Sequence, residues 1–132
     1  MDRKFEKFLG GPTQSTHDRI YVSISRTNVI TINQNCYRLL GKPPAVYLYF
    51  SRSDDTIAVE PVHSYRLPAA FPVKEFGQKT TWHINASPFC KHFGIRLDTT
   101  ERFIHPDLRD GALQLKLTET VSVPQNRRRK KN

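Results

Sequence analysis

No stretch of this 132-residue chain approaches the ~18 consecutive apolar residues of a membrane-spanning helix. The opening residues, Met1-Asp2-Arg3-Lys4 and then Phe5-Glu6-Lys7-Phe8, contain no apolar signal region, so the reading is cytosolic, without a membrane partner. Metal and catalytic spacings are missing too. His17, His63, His83, His92 and His105 form no HxxxH or HExxH pattern, and there is no CxxC. Cys90 and His92 are two apart, which puts them on different faces of a helix. A glycine-rich phosphate loop and a nucleophile elbow are absent as well. The expectation is a non-enzymatic protein with no cofactor and no metal. The enzyme alternative, a nuclease with paired carboxylates, requires Glu75 and Glu101 to meet the aspartates Asp54, Asp55, Asp107 and Asp110, all four placed in turns. The two cysteines, Cys36 and Cys90, could form one bridge, which a reducing cytosol disfavours. They fall at similar places in two short helical stretches, where an inward-pointing small apolar side chain is the ordinary role.

What the chain has is positive charge. Lys and Arg number 21 against 12 Asp and Glu, a formal net charge of +9. Five of the 21 form the run Arg127-Arg128-Arg129-Lys130-Lys131, so the rest carries 16 against 12, a net of +4. A mildly basic body with a strongly basic arm suits a polyanionic partner, nucleic acid above all. Short basic tails also raise solubility, so a protein-interaction module with an incidental tail is the alternative from another class.

The middle of the chain is written twice, about fifty residues apart. Ile30-Thr31-Ile32-Asn33 leads into a helical stretch ending Leu39-Leu40-Gly41; Trp82-His83-Ile84-Asn85 leads into one ending His92-Phe93-Gly94. Each copy continues with a strand, an acidic turn and a strand: residues 46–50, Asp54-Asp55 and 57–61, then residues 101–104, Asp110-Gly111 and 113–117. Each copy is also preceded by a hairpin strand. Ile20, Val22 and Ile24 alternate with Tyr21, Ser23 and Ser25 before the reversal Arg26-Thr27-Asn28; residues 73–76 precede Gly77-Gln78-Lys79. Asn33 is placed to cap the first helix, Asn85 or Ser87 the second with Pro88 at its first position, and Gly41 and Gly94 to end them.

The predicted organisation is a flexible N-terminal leader (1–18), a first repeat (19–62), a connector (63–71), a second repeat sharing the first's core (72–118) and a disordered basic tail (119–132). The predicted fold is mainly β with short helices, a small pseudo-twofold β-barrel built from two hairpin, short-helix, hairpin repeats.

In this order of elements the first copy resembles the AbrB/MazE-type swapped-hairpin family. The residues that carry the resemblance are the strand from Ile20 to Ser25, the basic turn at Arg26, the apolar strand Val29-Ile30-Thr31-Ile32, the helix ending Leu39-Leu40-Gly41, and the two strands around Asp54-Asp55. It spans about 45 residues of the first copy and, more loosely, as many of the second. Two positions depart from the family pattern: Thr27-Asn28 rather than glycine stands beside Arg26, and Asn33 rather than proline opens the helix.

The resemblance implies an interleaved barrel that lays its leading hairpins on duplex DNA, here as a monomeric pseudo-dimer or a homodimer, acting as a small regulator or architectural factor, nucleoid-associated in the cytoplasm. The expected contacts are Arg19, Arg26 and Asn28 in the first copy, Lys74 and Lys79 in the second, and Arg127, Arg128, Arg129, Lys130 and Lys131 in the arm. Arginine at a hairpin tip offers bidentate bonds to phosphate or guanine edges, and lysine offers point charge. Tyr47, Tyr49 and Tyr21 on outward strand faces suggest stacking on unpaired bases, which makes single-stranded nucleic acid the alternative ligand.

Overall fold

The computed structural model describes residues 19–78 and 80–124. Along the chain run β1 (Val22–Ile24), β2 (Val29–Asn33), α1 (Gln34–Leu39), β3 (Ala45–Ser51), β4 (Thr56–Val62), β5 (Phe71–Pro72), β6 (Lys74–Phe76), β7 (Thr81–Asn85), α2 (Ser87–Phe93), β8 (Thr100–Phe103), β9 (Asp107–Arg109), β10 (Ala112–Lys116) and β11 (Thr120–Val123). The fold is mainly β, as the alternating patterns require. Its strands form two sheets, ordered β11-β8-β1-β2-β7-β6 and β5-β3-β4-β10-β9, in which every strand pairing is antiparallel among the described residues.

Strand alternation decides what lies inside. Val22, Ile24, Ile30, Ile32 and Ile84 from the larger sheet and Val46, Ile57, Val59, Leu113 and Leu115 from the smaller are almost wholly buried and belong to one core cluster. Each such side chain contributes about 1.5–3 kcal/mol of apolar burial. The two short helices add Cys36, Leu40, Phe89 and Cys90 to the same cluster.

Local chemistry explains the element ends. Asn33 caps α1 by accepting the Cys36 N–H at 3.1 Å, and Gly41 follows the helix at φ +90°. In α2 the cap position falls to Ala86, which makes no side-chain capping bond; Asn85 Oδ1 instead accepts the Ser87 N–H at 3.2 Å. Gly94 ends that helix in the left-handed conformation at φ +69°. The β9–β10 hairpin closes on two left-handed residues, Asp110 (φ +54°) and Gly111 (φ +80°), between the paired Arg109 and Ala112.

The structure corrects the sequence reading in four further places. Among the described residues the strand pairings close no barrel, because β1 and β2 enter one sheet and β3 and β4 the other. The two copies also part after Gly94. Where β3 pairs with β4, their expected counterparts β8 and β10 lie in different sheets, β8 between β1 and β11, β10 between β4 and β9. Asp107 is not in a turn: it opens β9, a three-residue edge strand too short and too charged to show alternation. Residues 120–123, assigned to a disordered tail, form edge strand β11 against β8; Val121 and Val123 carried the β-branched alternation, which the basic run after them obscured.

Candidate nucleic-acid interface

Hydrogen bonds brace the first hairpin tip. Asn28 sits at φ +70°, a left-handed conformation that asparagine tolerates better than most residues. Its N–H donates to Ser25 O at 2.8 Å, and Ser25 N–H donates to Val29 O at 2.9 Å. The Ser25 hydroxyl accepts Val29 N–H at 3.1 Å and lies 3.0 Å from the Thr27 hydroxyl. Asn28 O accepts the Ala86 N–H at 2.9 Å, which docks the tip of the first hairpin onto the start of α2. Arg26 projects from this braced turn and is exposed.

That docking assembles charge from distant parts of the sequence. Arg26 and Asn28 line one depression of about 440 Å³ with Lys91 and Arg96, and Asp98 is the one acidic residue in its lining. Lys91 lies in the last turn of α2, where a cation also meets the favourable end of the helix dipole. Three exposed cations against one carboxylate give the tip a positive potential that no single segment carries. Sequence patterning gives Lys91 and Arg96 no link to Arg26, because they flank Gly94 about 65 and 70 residues from it; the β2–β7 pairing, continued by the Asn28–Ala86 bond, brings them together.

The remaining expected contacts disperse. Arg19 precedes β1 and Arg26 comes after it, so seven residues of near-extended chain, roughly 23 Å, separate them; Arg19 is not beside the tip. The two tips also point to opposite ends of the larger sheet. Antiparallel pairing of β2 with β7 sets Val29, next to the first tip, level with Asn85, and Asn33 level with Thr81, next to the second tip. Lys74 lies between those ends on edge strand β6, opposite His83 and in line with Thr31, Ser23 and Arg102 across the outward face of the sheet. Lys79 and residues 127–131 lie outside the described residues.

The expected aromatics are divided. Tyr49 is half exposed, but its hydroxyl is committed to Glu60 Oε1 at 2.5 Å, and that bond raises its pKa. Tyr21 is exposed with the Arg19 guanidinium 5.4 Å from its ring centre. Phe76, which the sequence reading passed over, is 60% exposed and stacks on His83 with centroids 4.3 Å apart. Among the described residues no group of three His, Cys, Asp or Glu is placed to hold a metal ion. Glu101 is engaged elsewhere, accepting the hydroxyls of Thr99, Thr120 and Ser122 at 2.8, 2.9 and 2.9 Å. No helix among the described residues is long and apolar enough to cross a membrane.

The chain was compared with protein-family models, with curated proteins and with solved structures, and none of the three yields a match.

Proposed function

We propose that this chain is a non-enzymatic DNA-binding protein, a small regulator or architectural factor, that engages the backbone of duplex DNA through the braced tip of its first hairpin. The observation that carries this reading is the convergence of Arg26, Lys91 and Arg96 on one shallow, exposed depression with a single acid. Backbone contacts by cations dominate affinity for duplex and need no deep pocket. In this reading the two copies act as a pseudo-twofold, swapped-hairpin unit of the AbrB type. The central β2–β7 pairing with a hairpin on either side, and the docking of the first tip on the second copy's helix, support that arrangement. The C-terminal arm adds contacts that do not depend on sequence.

The test is fluorescence anisotropy with labelled duplex, comparing the full chain with a chain ending at Asn126. Retained, salt-dependent duplex binding by the shorter chain supports the reading. Loss of all binding with residues 127–132 contradicts it and favours a protein-interaction module.

A second reading, single-stranded nucleic acid on the outward face of the larger sheet, is favoured by the exposed Phe76–His83 stack beside Lys74. A tighter affinity for an unpaired oligonucleotide than for duplex, lost in Phe76→Ala, would select it.

A further inference from the structure

A second gathering of cations lies away from the hairpin tip. The ends of the larger sheet and the outward side of β10 enclose an open cleft of about 750 Å³. Arg102 reaches it from the larger sheet and Arg19 from the segment before β1, Arg109 and Lys116 from the smaller sheet. Its acids are already engaged: Asp107 accepts Arg109 Nη2 at 2.7 Å, and Glu119 lies 3.4 Å from His105 Nδ1. Arg102 and Lys116 are therefore left with no carboxylate at ion-pair distance among the described residues, although they converge from two sheets on one concavity. Arg19 Nε is buried in the structure and has no hydrogen-bond partner among the described residues. Ile104, 44% exposed, and Pro106 supply an apolar wall beside these charges.

Cations converging in a cleft with partly apolar walls focus potential on an anion. Guanidinium groups match phosphate oxygens in a bidentate fork, and lysine adds a point charge. We propose that this cleft binds a small oligophosphate ligand of the nucleoside di- or triphosphate class, the phosphates meeting Arg102, Lys116 and Arg19 and the organic group lying against Ile104 and Pro106. The site is distinct from the hairpin tip, with which it shares no lining residue. Such a ligand would add negative charge to the body of the protein and so weaken DNA binding at the tip through the field, a modest effect at physiological salt, where screening sets in within about 8 Å.

Isothermal titration of the full chain in metal-free buffer at near-physiological salt tests the proposal, with ATP, pyrophosphate and adenosine as probes. The expected result is saturable binding of ATP at one site, weaker binding of pyrophosphate and none of adenosine. Arg102→Gln and Lys116→Gln, both at exposed positions, are each expected to weaken ATP at least tenfold, and Arg26→Ala to leave it unchanged. Pyrophosphate binding as tightly as ATP would remove the nucleotide from the proposal. Absence of saturable binding, or an ATP affinity that ignores Arg102→Gln and Lys116→Gln but falls in Arg26→Ala, would overturn the site altogether. Duplex binding measured on the same variants separates this outcome from failure of the DNA reading, since Arg102→Gln and Lys116→Gln leave the tip intact.

Discussion

The ring of Tyr37 lies flat on the indole of Trp82, with centroids 3.7 Å apart and planes 14° from parallel. Tyr37 comes from α1 and Trp82 from β7, so the stack joins two elements far apart in sequence at the edge of the core. An aromatic pair of this kind is worth about 0.5–1.5 kcal/mol beyond its buried area. Tyr37→Leu is therefore expected to lower unfolding stability by about 1 kcal/mol. Trp82 is the only tryptophan in the chain, so its emission should also shift to the red in that variant, which fluorescence during urea denaturation reads directly.

Asn33 ties three segments together. Its Oδ1 accepts from Cys36 N and from Tyr21 N at 3.1 and 3.2 Å, while its Nδ2 donates to Arg19 O at 2.9 Å. Asn33→Ala removes a helix cap and leaves Arg19 O and Tyr21 N without this partner, an expected loss of about 1–2 kcal/mol. Asn33→Asp keeps the cap acceptor and loses the donor to Arg19, so its midpoint should fall between those of the wild type and Asn33→Ala in denaturant titration.

Glu101 fastens edge strand β11 to β8. Hydrogen bonds to its carboxylate, from Thr99 first and also from Thr120 and Ser122, hold its pKa below the ordinary 4.5, outweighing the opposing effect of burial. A carboxyl whose pKa is lower in the folded state adds stability that is full above its unfolded pKa and is lost as pH falls through its folded pKa. Glu101→Gln should therefore be less stable than the wild type near neutral pH, and the difference should narrow as pH falls below about 4.5. Thermal melts of both proteins from pH 7 to pH 3 check this; a difference that does not vary with pH would assign Glu101 no titrating role.

Both thiols are free and buried, and burial pushes their pKa values up to about 12 for Cys36 and about 11 for Cys90. Almost no thiolate is present at pH 8 in the folded protein, and thiolate is the reactive species. Iodoacetamide should leave both cysteines unmodified in native buffer and label both in guanidinium chloride, as mass spectrometry would show. Rapid native labelling would mean that the short helices open far more readily than their packing indicates.

Much of the secondary structure was legible because alternation leaves a direct mark. Val22, Ile24, Ile30 and Ile32 read as strands facing a core, and Asn33 and Gly41 mark the two ends of a helix. The chain beyond Gly94 was harder to read, since β8, β9 and β11 are short and charged or interrupted, and the choice of sheet for each depends on contacts across the molecule. The candidate site shows the same limit. Arg26 was visible as a turn cation, but Lys91 and Arg96 owe their place beside it to the β2–β7 pairing and the bond from Ala86 N to Asn28 O that extends it. Arg102 and Lys116 stand on strands of different sheets, and only the folded chain brings them to one cleft.

The most direct test of the DNA reading is the salt dependence of duplex affinity for the full chain and for the Arg26→Ala/Lys91→Ala/Arg96→Ala variant. Each lost phosphate contact reduces the slope of log affinity against log salt by about 0.9, so loss of all three should reduce it by about 2.7. A drop of that order, with unchanged thermal stability, places the DNA backbone at the hairpin tip. An unchanged slope would show that these three residues do not contact DNA, and the DNA-binding account of this fold would be wrong.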